Sequence, residues 1–252
     1  MFDKLPSSVS LVTIYHYNYC AGLKNSMEVR NMADGMDGDY FYEKVTEISE
    51  NYFKSEDTKT VWELAETCMD VEGMPLHHPI HHYIVPAVLL AACYKKQGNL
   101  FENFRDDLQT VLSRAKNVLP GFCGWYGACG SCVGVGVFMS VFTKTDPHSK
   151  ESWSWTNRAT ADALMSISEF EGPQCCKRNT YIALESAKKI IAQYLNIELE
   201  KPEKVCCKYN RGNKNCKGKK CSFFQPKSVA ASVQKGESGH VAHSEMLNEV
   251  IS

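Results

Sequence analysis

The chain has 252 residues, of which 44% are hydrophobic and 23% charged, a composition typical of a globular protein and not of a disordered or fibrous one. Its 28 basic and 29 acidic side chains give a net charge of −1, which excludes a bulk attraction for nucleic acid or anionic lipid. The longest apolar runs are far shorter than the ~20 residues of a membrane-spanning helix. The first ten residues lack the layout of a secretory signal, so we expect a cytoplasmic protein without a membrane segment.

The N-terminal part of the chain is acidic. Residues 20–72 contain thirteen acidic and five basic side chains. Alternation favours a strand at Leu11 to Tyr17, whereas helical periodicity appears at Tyr40 to Phe53 and at Thr60 to Met69. We therefore predict an acidic, helical N-terminal layer over residues 1–73.

Residues 74–200 form the predicted helical core domain. The helical segments are Ile84 to Lys96, Val133 to Thr143, Thr156 or Asn157 to Phe170, and Asn179 or Thr180 to Leu195. The first is apolar on all sides, which is typical of a helix buried in the core. The second could be a helix or a strand, because its glycines are unfavourable in both. The predicted fold class is mainly α.

The C-terminal part has the opposite charge to the N-terminal layer. Residues 201–220 carry eight basic side chains and one acidic one. We predict a small basic, cysteine-rich, metal-organised knob over residues 201–225, followed by a mobile tail over residues 226–252.

The twelve cysteines are the main functional signal, because clustered thiols in a reducing compartment are usually metal ligands or catalytic groups. Cys123, Cys129 and Cys132 lie in a loop with four glycines. Glycine lets a backbone approach a bound group closely. The loop suits an iron–sulfur cluster or zinc, and the alternative is a set of small buried side chains.

Two further groups contain adjacent cysteines. Cys175 and Cys176 precede Lys177, Arg178 and a predicted helix start, an environment that favours the thiolate; chance adjacency is the alternative. The third group lies in the basic segment. Its four thiols allow zinc or a cluster, although their spacing matches neither the common zinc-finger pattern nor the common ferredoxin runs. It consists of Cys206, Cys207, Cys216 and Cys221. Its lysines also allow contact with nucleic acid, although a solvated basic segment is the preferred interpretation.

Four histidines stand directly before the buried helix: His77, His78, His81 and His82. Pro79 holds His78 out of the α region, so we predict a shaped turn that enters the core. Imidazoles in such a turn can transfer protons, bind a metal or orient an anion. Capping of backbone groups is the alternative.

The motifs His-His-Pro-Ile-His-His, Gly-Phe-Cys-Gly-Trp-Tyr-Gly-Ala-Cys-Gly, Cys-Cys-Lys-Arg-Asn and Cys-x8-Cys-x4-Cys together resemble an uncharacterised cysteine-rich family of unknown function. The resemblance covers about residues 75–225. It implies occurrence in anaerobic bacteria and archaea, and fusion to radical-SAM or methyltransferase-like modules. The chain itself has no radical-SAM Cys-x3-Cys-x2-Cys motif, so that activity is not transferred to it.

Three functional hypotheses follow. The first is an iron–sulfur enzyme for sulfur transfer or carbon–sulfur bond chemistry on a small anionic substrate. In it a four-iron cluster is bound by Cys123, Cys129, Cys132 and either Cys176 or Cys175, the other of this pair being a free catalytic thiol. The four histidines supply proton transfer, and Lys177 or Arg178 holds the anion. The second is a zinc module that contacts RNA or a protein, and the third is a metal or cluster carrier for a radical-SAM or methyltransferase partner.

Overall fold

The computed structural model describes residues 38–225. In this range the chain forms eight α-helices, one 3-10 helix and no β-strand. The α-helices are α1 (Gly38–Lys54), α2 (Val61–Met69), α3 (Ile80–Gln97), α4 (Phe101–Lys116), α5 (Phe122–Trp125), α6 (Gly130–Phe142), α7 (Glu151–Ser168) and α8 (Cys176–Leu195). The prediction of a mainly helical protein is confirmed. The predicted strand at Leu11 to Tyr17 and the tail after Gln225 lie outside the described residues.

The centre of the core is α3, which contacts α1, α2, α4, α6 and α8. Its side chains are buried almost continuously from Ile80 to Tyr94, as expected for a helix that is apolar on every face. The described part of the N-terminal layer packs onto this same core through Val45 and Trp62. The C-terminal segment adds Phe223. Residues from all parts of the described chain therefore share one core.

Helix α6 crosses α3 at close range because it carries glycines on the facing side. A Cβ atom on Gly134 would lie 2.8 Å from Pro86 Cδ and 3.0 Å from the His82 carbonyl oxygen. Pro86 has no N–H group, so this carbonyl lacks its usual helical donor and is left facing α6. The close crossing sets the start of α6, with Cys129 before it, beside the histidines of α3.

Several helix boundaries differ from the predicted ones. Helix α3 begins at Ile80, with Pro79 at its N-cap position at φ −58°, so the predicted histidine turn is shorter and His81 and His82 belong to the helix. Pro86 lies inside α3. Helix α8 begins at Cys176, three residues before Asn179. This earlier start places a cysteine in its first turn.

Two other helices also depart from the predictions. Helix α7 begins at Glu151, five residues before Thr156. Helix α4 is missing from the predicted elements, although its buried residues Phe104, Leu108, Val111 and Ala115 follow helical spacing. The segment Val133 to Thr143, left open by the sequence, is helical as part of α6.

Candidate functional site

Eight cysteines form two neighbouring groups. The loop thiol group consists of Cys123, Cys129, Cys132 and Cys176, whose sulfurs influence one another electrostatically. The C-terminal thiol group consists of Cys175, Cys207, Cys216 and Cys221, which line one cavity. The adjacent residues Cys175 and Cys176 join the two groups through a single peptide bond.

The start of α6 holds a polarised pair of thiols. The Cys132 thiol donates a hydrogen bond to the Cys129 sulfur, and this is the main cause that lowers the pKa of Cys129 to about 6. Burial opposes the shift, while Asn179 and the backbone amides of Ser131 and Cys132 reinforce it. The pKa of Cys132 is raised in turn, because this thiol is the donor and is buried. Cys129 is thus the more readily ionised thiol of the pair.

Asn179, a residue of α8, forms a hydrogen bond with the Cys129 sulfur. Its side-chain amide donates to Cys129 Sγ at 3.3 Å, and only 3% of the residue is exposed. Its carbonyl oxygen Oδ1 is buried and has no hydrogen-bond partner among the described residues. A buried amide oxygen without a partner is uncommon, and the hydrogen bond from Nδ2 orients the Cys129 sulfur.

Cys176 lies in the first turn of α8 and interacts electrostatically with Cys129 and Cys123. Burial is the main cause that raises its pKa to about 12, and the backbone amide of His78 opposes the shift. Lys177, the next residue, contacts the Met69 carbonyl oxygen at 3.5 Å and the Tyr209 ring. Its charge also interacts with the Cys176 sulfur, which raises the pKa of Lys177 against the larger effect of burial.

Cys123 lies on α5, a four-residue helix without any buried residue. The flanking Gly121 and Gly127 have φ angles of 83° and 65°, which glycine adopts readily. Burial raises the pKa of Cys123, and the neighbouring Cys129 adds to the shift. Trp125 and Tyr126 expose 53% and 68% of their surface next to this thiol.

The hydrogen bonds of the histidines define their tautomers. His81 Nδ1 donates to the His78 carbonyl oxygen at 2.9 Å, and His82 Nδ1 donates to the Val118 carbonyl oxygen at 3.0 Å. Each Nε2 is therefore a bare acceptor. Burial lowers both pKa values, so the rings are neutral. His81 Nε2 is buried without a partner in the described chain, whereas His82 packs directly on Gly130, beside Cys129.

The remaining histidines, His77 and His78, lie near Cys175 and Cys176. His78 Nδ1 accepts a hydrogen bond from the Ile80 amide at 3.1 Å. His77 Nε2 donates to Asn213 Oδ1 at 3.0 Å, and the amide nitrogen of Asn213 donates to Cys175 Sγ at 3.5 Å. His77 therefore belongs to the surroundings of the C-terminal thiol group.

Arg178 and Lys177, the two residues predicted to hold an anion, contact several other parts of the fold. Arg178 donates to the Pro173 carbonyl oxygen at 3.2 Å, lies over the Phe170 ring and lines the C-terminal cavity. Lys177 is fully buried, and burial lowers its pKa to about 8. Neither side chain has a hydrogen bond or ring contact with the loop thiols.

The other described cysteines lie outside both groups. Cys68 and Cys93 are fully buried in the core, and burial raises both of their pKa values. Cys206, a predicted metal ligand, does not line the C-terminal cavity. With the side chains as they stand, no three His, Cys, Asp or Glu residues within residues 38–225 could hold a metal ion together.

Several lysines of the basic segment pair with the chain's own acidic residues. Lys208 contacts Asp70 at 2.5 Å, and Lys217 contacts Glu171 at 3.6 Å. These ion pairs join the basic segment to the surface of the helical core.

Residues 49–224 match a family described as a family of unknown function, DUF5714. The matched range is more than half of the chain. The protein belongs to this family. Comparison with curated proteins and with solved structures gave no match. None of the helices in residues 38–225 combines the length and apolar character that crossing a membrane requires.

The DUF5714 range contains both thiol groups and all four histidines of the predicted site. It begins at residue 49, earlier than the resemblance seen in the sequence, and so includes the end of α1 and all of α2. The resemblance to a family of unknown function is confirmed, whereas its occurrence in anaerobes and its fusions stay predictions. Asn179 and Asn213 were absent from the predicted site. Only their positions near cysteine motifs could have pointed to them.

Proposed function

We propose that this DUF5714 protein binds an iron–sulfur cluster through the loop thiol group. The observation that carries the proposal is the meeting of four thiols from three separate segments around the polarised sulfur of Cys129. Four cysteine thiolates are the usual ligands of a four-iron cluster. Hydrogen bonds to sulfur, such as the one from Asn179, tune such clusters.

Cluster binding requires a rearrangement, since no three of these side chains could hold a metal as they stand. The part that can move is α5, because it has no buried residue and is flanked by glycines at positive φ. A shift of α5 would bring Cys123 toward Cys129 without opening the core. Binding would also release the proton that Cys132 shares with Cys129, because only the thiolate is a ligand.

The remainder of the proposal is an enzyme that acts on a small anionic substrate, in sulfur transfer or carbon–sulfur bond chemistry. A bound cluster supplies electron transfer, or Lewis acidity where one iron is left open to substrate. Among the chain's own groups, His82 is the one suited to accept a proton, since its Nε2 is unprotonated and the ring packs beside Cys129. Trp125 and Tyr126 would shield the substrate from water.

The test is metal analysis of the full chain purified without oxygen. We expect about four irons and four sulfides per chain and a visible chromophore that dithionite bleaches. Cys176→Ser should lose the iron. Cys206→Ser is the matched control and should keep it, because Cys206 is a partly exposed thiol outside both groups. Zinc without iron in the wild-type protein would refute the proposal.

A second candidate function is dithiol chemistry by Cys129 and Cys132 alone. They form a Cys-x2-Cys sequence at the start of a helix, with the buried thiol donating to the more exposed one, an arrangement suited to thiol–disulfide exchange. Cys129 would attack a substrate disulfide and form a mixed disulfide. Cys132 would then lose its proton and displace the second substrate sulfur, leaving the substrate reduced to two thiols and the pair oxidised.

The cluster and dithiol candidates predict different iron contents and different products of mild oxidation. For the dithiol, mild oxidation of iron-free protein yields a reversible Cys129–Cys132 disulfide, which peptide mass spectrometry identifies, and purified protein contains no iron. Reduction of a disulfide substrate by wild type but not by Cys132→Ala would support it. Failure to form that disulfide would eliminate it.

A further inference from the structure

We infer that Cys175, Cys207, Cys216 and Cys221 bind one structural zinc ion that fastens the C-terminal segment to the start of α8. This site is separate from the proposed cluster site and does not depend on it. It also differs from the set expected from the sequence, because Cys175 takes the place of Cys206. Cys175 lines the cavity together with the three C-terminal thiols, whereas Cys206 does not.

The size of the cavity favours a single ion. Its volume is about 20 Å³, slightly more than the ~10–15 Å³ that one water molecule requires. A cluster of four irons and four sulfides is several times larger than a water and would not fit. The four side chains do not form a set that could hold a metal as they stand, so zinc binding would have to turn their sulfurs into the cavity. Cysteine has staggered χ1 alternatives available for such a change. Four thiolates in tetrahedral geometry are a common structural zinc site.

Three of the four sulfurs already face N–H donors. The Asn213 side-chain amide donates to Cys175 Sγ at 3.5 Å, and the Gly218 backbone amide donates to Cys216 Sγ at 3.4 Å. The backbone amide of Tyr209 is directed at the Cys207 sulfur. Donors of this kind are the outer contacts that orient and stabilise metal-bound thiolates.

The orientation of Asn213 is fixed by its other partner. Its Oδ1 accepts the backbone N–H of Asn215 at 3.0 Å, and a backbone N–H can only donate. The amide nitrogen must therefore be the atom that faces Cys175. His77 Nε2 donates to the same Oδ1, and this bond holds the amide from the side of α3.

The charges around the cavity match those of a zinc–tetrathiolate site. Four thiolates around Zn²⁺ leave an excess of two negative charges. Arg178 and Lys217 both line the cavity, and Arg178 is 4% exposed. Arg178 would offset part of that excess, which accounts for a buried arginine without a carboxylate partner among the described residues. Lys217 is already paired with Glu171 and contributes less.

The C-terminal segment has few buried apolar residues and little regular structure. Between residues 201 and 225 the only buried hydrophobic residues are Val205 and Phe223, and the only helix is the three-residue 3-10 turn Gly218–Lys220. The partly buried Cys207, Tyr209 and Cys221 add contacts to the core. A metal that binds only the folded form would add stability to such a segment.

The test measures zinc in the full chain and its single-residue variants. Wild type should contain one zinc per chain, Cys175→Ser and Cys216→Ser should contain less than a tenth of that amount, and Cys206→Ser should retain it. Asn213→Ala should weaken zinc affinity about 10- to 100-fold in a competition with a chelator dye. The inference is overturned if wild type holds no zinc, or if Cys206→Ser loses as much zinc as Cys175→Ser.

A labelling experiment on the wild-type protein does not depend on whether the cysteine variants fold. Zinc added to metal-free protein should protect the four cavity thiols from iodoacetamide and leave Cys206 reactive, as read by peptide mass spectrometry. Equal labelling of all five with and without zinc would refute the site. Cys176→Ser distinguishes this inference from the proposed cluster, since it should lose iron while its zinc is unchanged.

Discussion

Replacing Gly130 with alanine should disturb the contact between α6 and His82. A Cβ atom at this position would lie 2.2 Å from His82 Cδ2 and 2.4 Å from Nε2, closer than any real carbon contact. The ring cannot move freely, because its Nδ1 is bonded to the Val118 carbonyl oxygen at 3.0 Å. The substitution must therefore shift either the ring or the helix.

The expected cost follows from these two routes. Shifting packed elements costs about 1–3 kcal/mol, and breaking a buried hydrogen bond costs a similar amount. Alanine gains at most about 1 kcal/mol over glycine inside a helix. We expect Gly130→Ala to lower the free energy of unfolding by about 1–2 kcal/mol, or the melting temperature by about 2–8 °C for a domain of this size.

Urea unfolding of the full chain, with circular dichroism as the readout, measures this change. Gly124→Ala is the matched control, because its Cβ would meet no atom within 4 Å. In a double-mutant cycle, adding Gly130→Ala to His82→Ala should cost little, since the alanine at position 82 leaves room. The reasoning is refuted if Gly130→Ala is as stable as wild type, or if the two substitutions are additive.

Three further predictions concern other parts of the molecule. In metal-free protein, the rate of Cys129 alkylation should reach half of its maximum near pH 6, because the thiolate is the reactive form. Cys132→Ala should move this midpoint toward 9.0, the ordinary pKa of a cysteine thiol. An unchanged midpoint would contradict the hydrogen bond between the two thiols. Thr60→Ala removes a cap that pairs with Glu63 and should cost about 1 kcal/mol in urea unfolding, whereas a cost below the error of the measurement would count against the cap. Phe223→Ala should cost about 3–5 kcal/mol and speed proteolysis of the C-terminal segment, and unchanged proteolysis would contradict its anchoring role.

The sequence predicted those parts of the fold that depend on local pattern. Helical periodicity located α1 and α2, and the all-apolar segment located α3, because burial on one or all faces leaves a direct trace in residue order. The start of α8 could not be obtained in this way. Asparagine and threonine are common caps, but Cys175 occupies the cap position without a side-chain cap hydrogen bond.

The site was predictable in composition but not in its grouping. The clustering of thiols named all eight cysteines in advance, together with Cys206. Their division into two groups depends on how α8 packs between α6 and the C-terminal segment, which sends Cys175 and Cys176 in different directions. The sulfur contacts of Asn179 and Asn213 are likewise products of tertiary packing.

The most direct measurement is the iron and zinc content of three full-length proteins purified in parallel without oxygen: wild type, Cys175→Ser and Cys176→Ser. We predict about four irons and one zinc in wild type, loss of zinc alone in Cys175→Ser, and loss of iron alone in Cys176→Ser. A wild-type protein that contains neither metal, or two variants that lose the same metal, would contradict two separate thiol sites joined at this pair of cysteines.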